Sequence, residues 1–386
     1  MPLYTRGDFR PPYSGMWYEV NNIESLPSPA VLVSAERVAA NIEACISLAG
    51  SPERLRPHVK THKSSSVMRM HLDRGITRFK CATVAEAAMV ATAGSRDILL
   101  AYQPVGPAVD SLCALAGQFE NTRFACLVDN SASLEAIERA AARAGVRLSV
   151  YIDLDVGMHR TGIEPGDAAC ELYRAVHDSE VLAAGGMHAY DGHIRDNDIS
   201  IRRANARKSR ELAFALRDRL LSEEMSVPEI VLGGTPTFPC HAAAYENGVA
   251  LSPGTYVYHD WGYETHFPDL PFEMAAVVFG RVISVPRAGR FTVDIGSKAI
   301  AADPEQPRGL LLNMPEATAG AQSEEHWVFS VREERTLSVG EPVFVWPRHI
   351  CPTIAHHDAV AVCGANGEIA EWWNTNSRGR SIHGNT

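Results

Sequence analysis

Nowhere in the 386 residues is there a basic run, or a set of basic residues interleaved with aromatics, of the kind that neutralises a phosphate backbone. With 36 Lys and Arg against 46 Asp and Glu the formal net charge is −10, so nucleic acid is not an expected partner. Apolar stretches long enough to cross a bilayer are also missing; the longest are the length of a strand. The opening MPLYTRGDFRPPYSG lacks the charged-then-apolar pattern of a signal peptide, so neither export nor membrane anchoring is expected, and the reading is cytoplasmic. The eight cysteines (Cys45, Cys81, Cys113, Cys126, Cys170, Cys240, Cys351 and Cys363) include no Cys-x-x-Cys pair. That pattern is no disulfide framework and points to buried thiols in a reducing compartment. Internal repeats and low-complexity tracts are absent as well.

What is present is a globular composition, 46% apolar and 21% charged, in which apolar burial can offset chain entropy. The length suits one barrel-sized domain of about 250 residues and a smaller companion. Residues 1–28 are rich in Pro, Tyr and Gly and read as an arm packed on another part of the molecule. Eight short strand-like runs then alternate with helical patterns: 55–59, 77–81, 97–101, 123–128, 147–153, 183–189, 229–233 and 249–257. Eight parallel βα units predict a closed (β/α)₈ barrel over 29–268. Helices are expected at 83–94 and at 131–145, the latter ending on Gly145. From 269 to 386 the texture becomes short strands with Gly/Pro turns, a separate β domain.

Chemistry in such barrels gathers where the strands end. The first run ends in RPHVKTHK, placing Lys60 at the mouth between His58 and His62. A lysine inside a barrel wall loses hydration, which leaves an amine nucleophilic enough for a Schiff base; the alternative is a solvated lysine at a strand terminus. The seventh and eighth runs end in GGTPT (233–237) and SPGTY (252–256). There Gly233, Gly234 and Gly254 let backbone N–H groups approach a phosphate, Thr235 and Thr255 add hydroxyls, and Tyr256 lies alongside. Together, a Schiff-base lysine and a phosphate cradle suggest pyridoxal 5′-phosphate. Arg160 in VGMHRTG can hydrogen-bond the phenolate oxygen of a pyridoxal ring, or form an ion pair with Asp153 or Asp155. In HAYDGH (188–193), Tyr190 can face the ring and His193 can act as acid or base.

With these pieces in order, together with SPAVLVSAERVAANI near the start and WPRHICPT near the end, the sequence resembles the D-threonine aldolase/D-serine dehydratase family of fold-type III pyridoxal-phosphate enzymes. The resemblance spans nearly the whole chain. It implies an alanine-racemase-like barrel with the cofactor on Lys60, a following β domain joined by the N-terminal arm, and a homodimer. It also implies a metal on His349 and Cys351, which as residues i and i+2 of a strand would project from one face. Two protein ligands leave positions for water and substrate, and a thiolate beside imidazole favours zinc over manganese or magnesium.

The implied substrates are small D-3-hydroxy amino acids: D-serine, D-threonine or D-3-hydroxyaspartate. In β-elimination Lys60 takes the α-proton and the metal helps expel the hydroxyl, giving a keto acid and ammonia. In retro-aldol cleavage His193 takes the hydroxyl proton, giving glycine and an aldehyde. Family aldolases tend to carry His-x-Asp at the metal position and zinc dehydratases His-x-Cys, so Cys351 favours the dehydratase, while HAYDGH looks closer to the aldolase branch. An amino-acid racemase would need a second base that is not identifiable. A cofactor-carrier protein or a sugar-phosphate barrel would not explain the C-terminal domain.

Overall fold

In the computed structural model, which describes residues 16–380, the first strand departs from the barrel expectation. β1 (Ala30–Ser34) is buried along its whole length, as AVLVS suggests, and pairs with strands from the far end of the chain. The next seven strands are β2 (Arg78–Cys81), β3 (Asp97–Leu100), β4 (Arg123–Val128), β5 (Leu148–Asp153), β6 (Leu182–Ala189), β7 (Ile230–Leu232) and β8 (Val249–Leu251). They form a parallel sheet in sequential order, each beside its sequence neighbour. The intervening helices follow their sequence signals. Ser131–Ala144 is capped by the Asn130 side chain, which accepts from Ser133 N, and ends at Gly145 with φ 65. Val84–Thr92 begins at Thr83, whose side chain accepts from Glu86 N.

The run at 55–59 is expected as a full first barrel strand and is not one. Only isolated parallel bridges form, Leu55 to Leu251 and His58 to Lys80, and the chain then tightens into a 3₁₀ turn at Val59–Thr61. Three backbone bonds nevertheless close the ring between β8 and β2. Arg56 N donates to Leu251 O (2.8 Å), His58 N to Pro253 O (2.9 Å), and Lys80 N to Pro57 O (2.9 Å). Pro57 has no N–H to return, so among the described residues the stave is held to β2 by the Lys80 N–H alone.

The N-terminal end of the barrel is closed by a buried ionic layer. The Arg56 guanidinium, 0% exposed, reaches Asp97 (2.8 Å) and Glu229 (3.0 Å), and Tyr151 donates to Glu229 (2.9 Å). Gly185 leaves room for the Tyr151 ring, which a Cβ there would approach to 2.3 Å. Removing one member of such a layer strands its partners in a dry interior. Arg56→Met is therefore expected to lower unfolding free energy by about 3–5 kcal/mol, measurable by denaturant titration. Burial raises the Asp97 carboxyl, but the Arg56 and Arg123 guanidinia outweigh it and hold the group below its ordinary range. The stabilisation from Asp97 is thus complete above the ordinary carboxylate range and is lost as pH falls through the depressed folded value.

The other unit gathers residues up to Asn41 with Val257–Arg378, so its boundaries lie at 41 and 257, where the sequence suggests 28 and 269. Its strands are β1, β9 (Ala276–Arg287), β10 (Arg290–Val293), β11 (Gly309–Leu311), β12 (Thr318–Gln322), β13 (Trp327–Ser330), β14 (Pro342–Pro347), β15 (Ala359–Cys363) and β16 (Ile369–Asn374). The long β9 pairs with β1, β10 and β14, and β1 adds in parallel to β15. Tyr18, Val20 and Leu26 from the expected N-terminal arm join Phe279, Phe344 and Trp346 in this unit's core. The arm's first fifteen residues lie outside the described range, as do residues 381–386. No described helix is long and apolar enough to cross a membrane, and every cysteine except the half-buried Cys351 is buried.

Candidate active site

Lys60 stands in the 3₁₀ turn at the end of the eighth stave, half-buried. Its backbone N–H donates to His58 Nδ1 (3.2 Å), which fixes the imidazole as an acceptor. Burial, with Lys60 and Lys80 nearby, pushes His58 well below its ordinary pKa, so the ring is neutral and able to accept. Gly254 passes directly over this turn; a Cβ there would lie 3.1 Å from His58.

The two glycine loops are coupled by one hydroxyl. Thr235 Oγ1 accepts from Gly254 N (3.0 Å) and from Thr255 N (3.1 Å). With both lone pairs taken, its own O–H is left as a donor, polarised by the two bonds it receives. Gly233 adopts φ 71, and a Cβ on Gly234 would come within 2.9 Å of the Tyr190 ring. Below them, buried Asp191 accepts from Thr237 Oγ1 (2.7 Å) and pairs with His241 Nε2 (2.7 Å). Tyr256 turns away from the loops: its hydroxyl meets His71 Nε2 (2.7 Å) within the wall.

Arg160 is exposed, with its guanidinium 4.9 Å from the centroid of the half-buried Tyr190 ring. The ion pair with Asp153 or Asp155 does not form among the described residues. Asp155 pairs with His159 (2.8 Å), while Asp153 accepts from His188, Thr161 and Gln103. His193 is exposed, stacked over Gly157 and lining a surface pocket with Arg195, Asp196 and Lys208.

Sequence reasoning misses the polar cluster inside the barrel. Lys80 on β2, 2% exposed, places Nζ 3.3 Å from His188 Nε2, and His188 Nδ1 lies 2.7 Å from Asp153 Oδ1. A charged residue in the interior of the short strand RFKC is the one local sign of this cluster.

His349 and Cys351 are adjacent, though for a different reason from the expected strand alternation. β14 ends at Pro347; His349 is the N-cap of the helix Ile350–Ala355, and Cys351 lies in its first turn. Buried Asp260 pins the segment by accepting from Ile350 N (3.0 Å) and Tyr263 N (2.9 Å). His349 Nδ1 lies 2.6 Å from Asp303 Oδ2. Burial pulls the His349 imidazolium down, but Cys351 and Asp303 outweigh it and raise the pKa to about 9.

The match to known proteins is clear. The family model for the alanine racemase N-terminal domain covers residues 33–260. The chain belongs to that family. A second model, a putative serine dehydratase domain, covers residues 275–363, so the chain has the two-part organisation of the D-threonine aldolase/D-serine dehydratase group. It is 28% identical to a D-threonine aldolase of Arthrobacter sp, over 92% of this chain and 93% of that protein. It is 25% identical to a D-threo-3-hydroxyaspartate dehydratase of Delftia sp. (strain HT23), over 90% and 97%. The crystal structure of a D-threonine aldolase from Filomicrobium marinum superposes with a TM-score of 0.84 at 26% identity, covering 92% of this chain and 97% of that one.

The family implies pyridoxal 5′-phosphate, and the residues fit it: an amine on Lys60, glycines where a Cβ would crowd the loops, and a Thr235 O–H that has no acceptor among the described residues. For a metal, no group of three or more His, Cys, Asp or Glu side chains is assembled among the described residues. A metal held here would rest on His349 and Cys351, with water or substrate completing the shell.

Proposed function

We propose that the chain is a pyridoxal-phosphate-dependent, metal-assisted lyase of D-3-hydroxy amino acids that eliminates the β-hydroxyl to give a keto acid and ammonia. The observation that carries the choice of elimination is the pairing of His349 with Cys351, backed by Asp303, in a chain of this family. The cofactor, when bound, supplies the electron sink for bond cleavage at Cα. A metal, zinc by the softness of its donors, supplies a Lewis acid for the β-hydroxyl.

The chain's own residues do the rest. Lys60 Nζ anchors the cofactor and takes the α-proton. The Thr235 hydroxyl donates to the phosphate; Gly234, Gly254 and Thr255, whose N–H groups are engaged by Thr237 and Thr235, shape the cradle around it, Gly233 gives the loop its turn, and Gly254 seats His58 under Lys60. Arg160 and Tyr190 orient the ring, and Tyr256 holds the wall behind it. Asp303 fixes the His349 ring with Nε2 outward; such carboxylate partners raise ligand basicity and set the tautomer. Asp303→Ala is expected to weaken metal affinity by about 10–100-fold, read by competition with a chromogenic chelator.

Retro-aldol cleavage with His193 as base is the second reading, favoured by the D-threonine aldolase relative at 28% identity. D-serine, D-threonine and D-3-hydroxyaspartate, each incubated with and without chelator, separate the two. Keto acid and ammonia, lost on chelation, are expected; glycine with an aldehyde would replace this reading with the aldolase. We also take the protein to be a homodimer, to be checked by analytical ultracentrifugation.

A further inference from the structure

Lys80 is placed beside the cofactor lysine by strand register. It sits opposite His58 across the barrel seam, two residues before Lys60. At 2% exposure it is desolvated, and an ammonium in such a place ordinarily sits against a carboxylate. Lys80 does not. Its hydrogen-bond partner among the described residues is the neutral acceptor His188 Nε2 (3.3 Å), and the Tyr190 ring lies 5.6 Å away. An ammonium has three donors, so most of its capacity is unspent. Asp153, the carboxylate behind His188, already holds His188 (2.7 Å), Thr161 (2.8 Å) and Gln103 (2.9 Å).

That arrangement aims the amine. Asp153 accepts a hydrogen bond from His188 Nδ1–H, which makes Nε2 an acceptor and tethers Lys80 by one of its N–H groups. Burial lowers Lys80 to about 7; Lys60 and Arg160 push the same way, while Asp153 and Asp191 oppose them. Three cations thus face two carboxylates already engaged elsewhere, a surplus that an incoming anion would relieve.

We propose that Lys80 binds an anionic oxygen at the barrel mouth, the carboxylate of the amino acid or the phenolate of the cofactor, and that His188 and Asp153 are the positioning residues that hold its amine. This rests on the pyridoxal-phosphate reading, which Lys60→Ala tests separately. Lys80→Met keeps the length and apolar stem of the side chain and removes the donors.

Two dissociation constants are read: that of pyridoxal 5′-phosphate for apoprotein, and that of D-alanine, which has no β-hydroxyl to lose, followed by its shift of the visible band. Weakening of about 10–100-fold, the range for hydrogen bonds to charged groups, is expected in one of them. A change for the cofactor identifies the phenolate, and a change for D-alanine alone identifies the carboxylate. Asp153→Asn leaves Lys80 in place and should move the same constant by less, which keeps the test open if Lys80→Met fails to fold. If both constants are unchanged in the folded variants, Lys80 is a wall residue and the proposal is wrong.

Discussion

Lys60→Ala is expected to abolish the visible absorption band of the protein loaded with pyridoxal 5′-phosphate and to lower kcat by at least about 10²–10⁴-fold, the usual contribution of a positioned proton-transfer group. Both effects follow from one side chain serving as anchor and base. Lys60 lies in a half-buried turn and is not part of the Arg56–Asp97–Glu229 layer, so thermal stability should change little. Borohydride treatment supplies the complementary measurement. Reduction should fix the cofactor covalently in the unaltered protein and leave it dialysable in the variant. A visible band that survives unchanged in Lys60→Ala would place the cofactor on another amine, with Lys80 the first to examine.

The second large effect is expected from the His349–Cys351 pair. His349→Ala or Cys351→Ala should empty the protein of metal and lower keto-acid formation by about two orders of magnitude or more, because a Lewis acid on a leaving oxygen contributes several kcal/mol. The visible band should persist, since Lys60 and the glycine loops belong to a different unit. Cys351→Asp is more informative. Exchanging thiolate for carboxylate keeps two protein ligands but hardens the donor set, so metal preference should move from zinc toward manganese. Metal content measured after growth with each ion decides it. Full metal content in Cys351→Ala would remove the ligand assignment.

Much of the architecture is legible locally. Helix Ser131–Ala144 carries its cap and its terminating Gly145 in the sequence, and β4 spans the same residues as the run RFACLV. The failures share a physical cause: they depend on partners distant in sequence. RPHV reads as a strand by composition, but its bonds go to the distant Leu251, Pro253 and Lys80, with only the last of them on the β2 side. HIC reads as strand alternation, whereas the Asp260 carboxylate, accepting from Ile350 N, holds the start of a helix there. The pairing of Lys80 with His188 spans 108 residues, so neither side chain signals the other in any local window. Thr235 likewise reads as one more phosphate hydroxyl until Gly254 N and Thr255 N are seen donating to it. Long-range pairing of this kind concentrates at the site, which is why the fold could be read more fully than the chemistry.

The pairing of β1 bears on the order in which the molecule can assemble. Each barrel strand joins one made just before or after it, so that sheet can grow as the chain lengthens. β1 is made first, yet its neighbours β9 and β15 are among the later strands. Until they emerge, AVLVS is an apolar ribbon with two open edges, a segment prone to pair with other chains. A chain that stops before Ala359–Cys363 should therefore keep its barrel and aggregate through its own beginning.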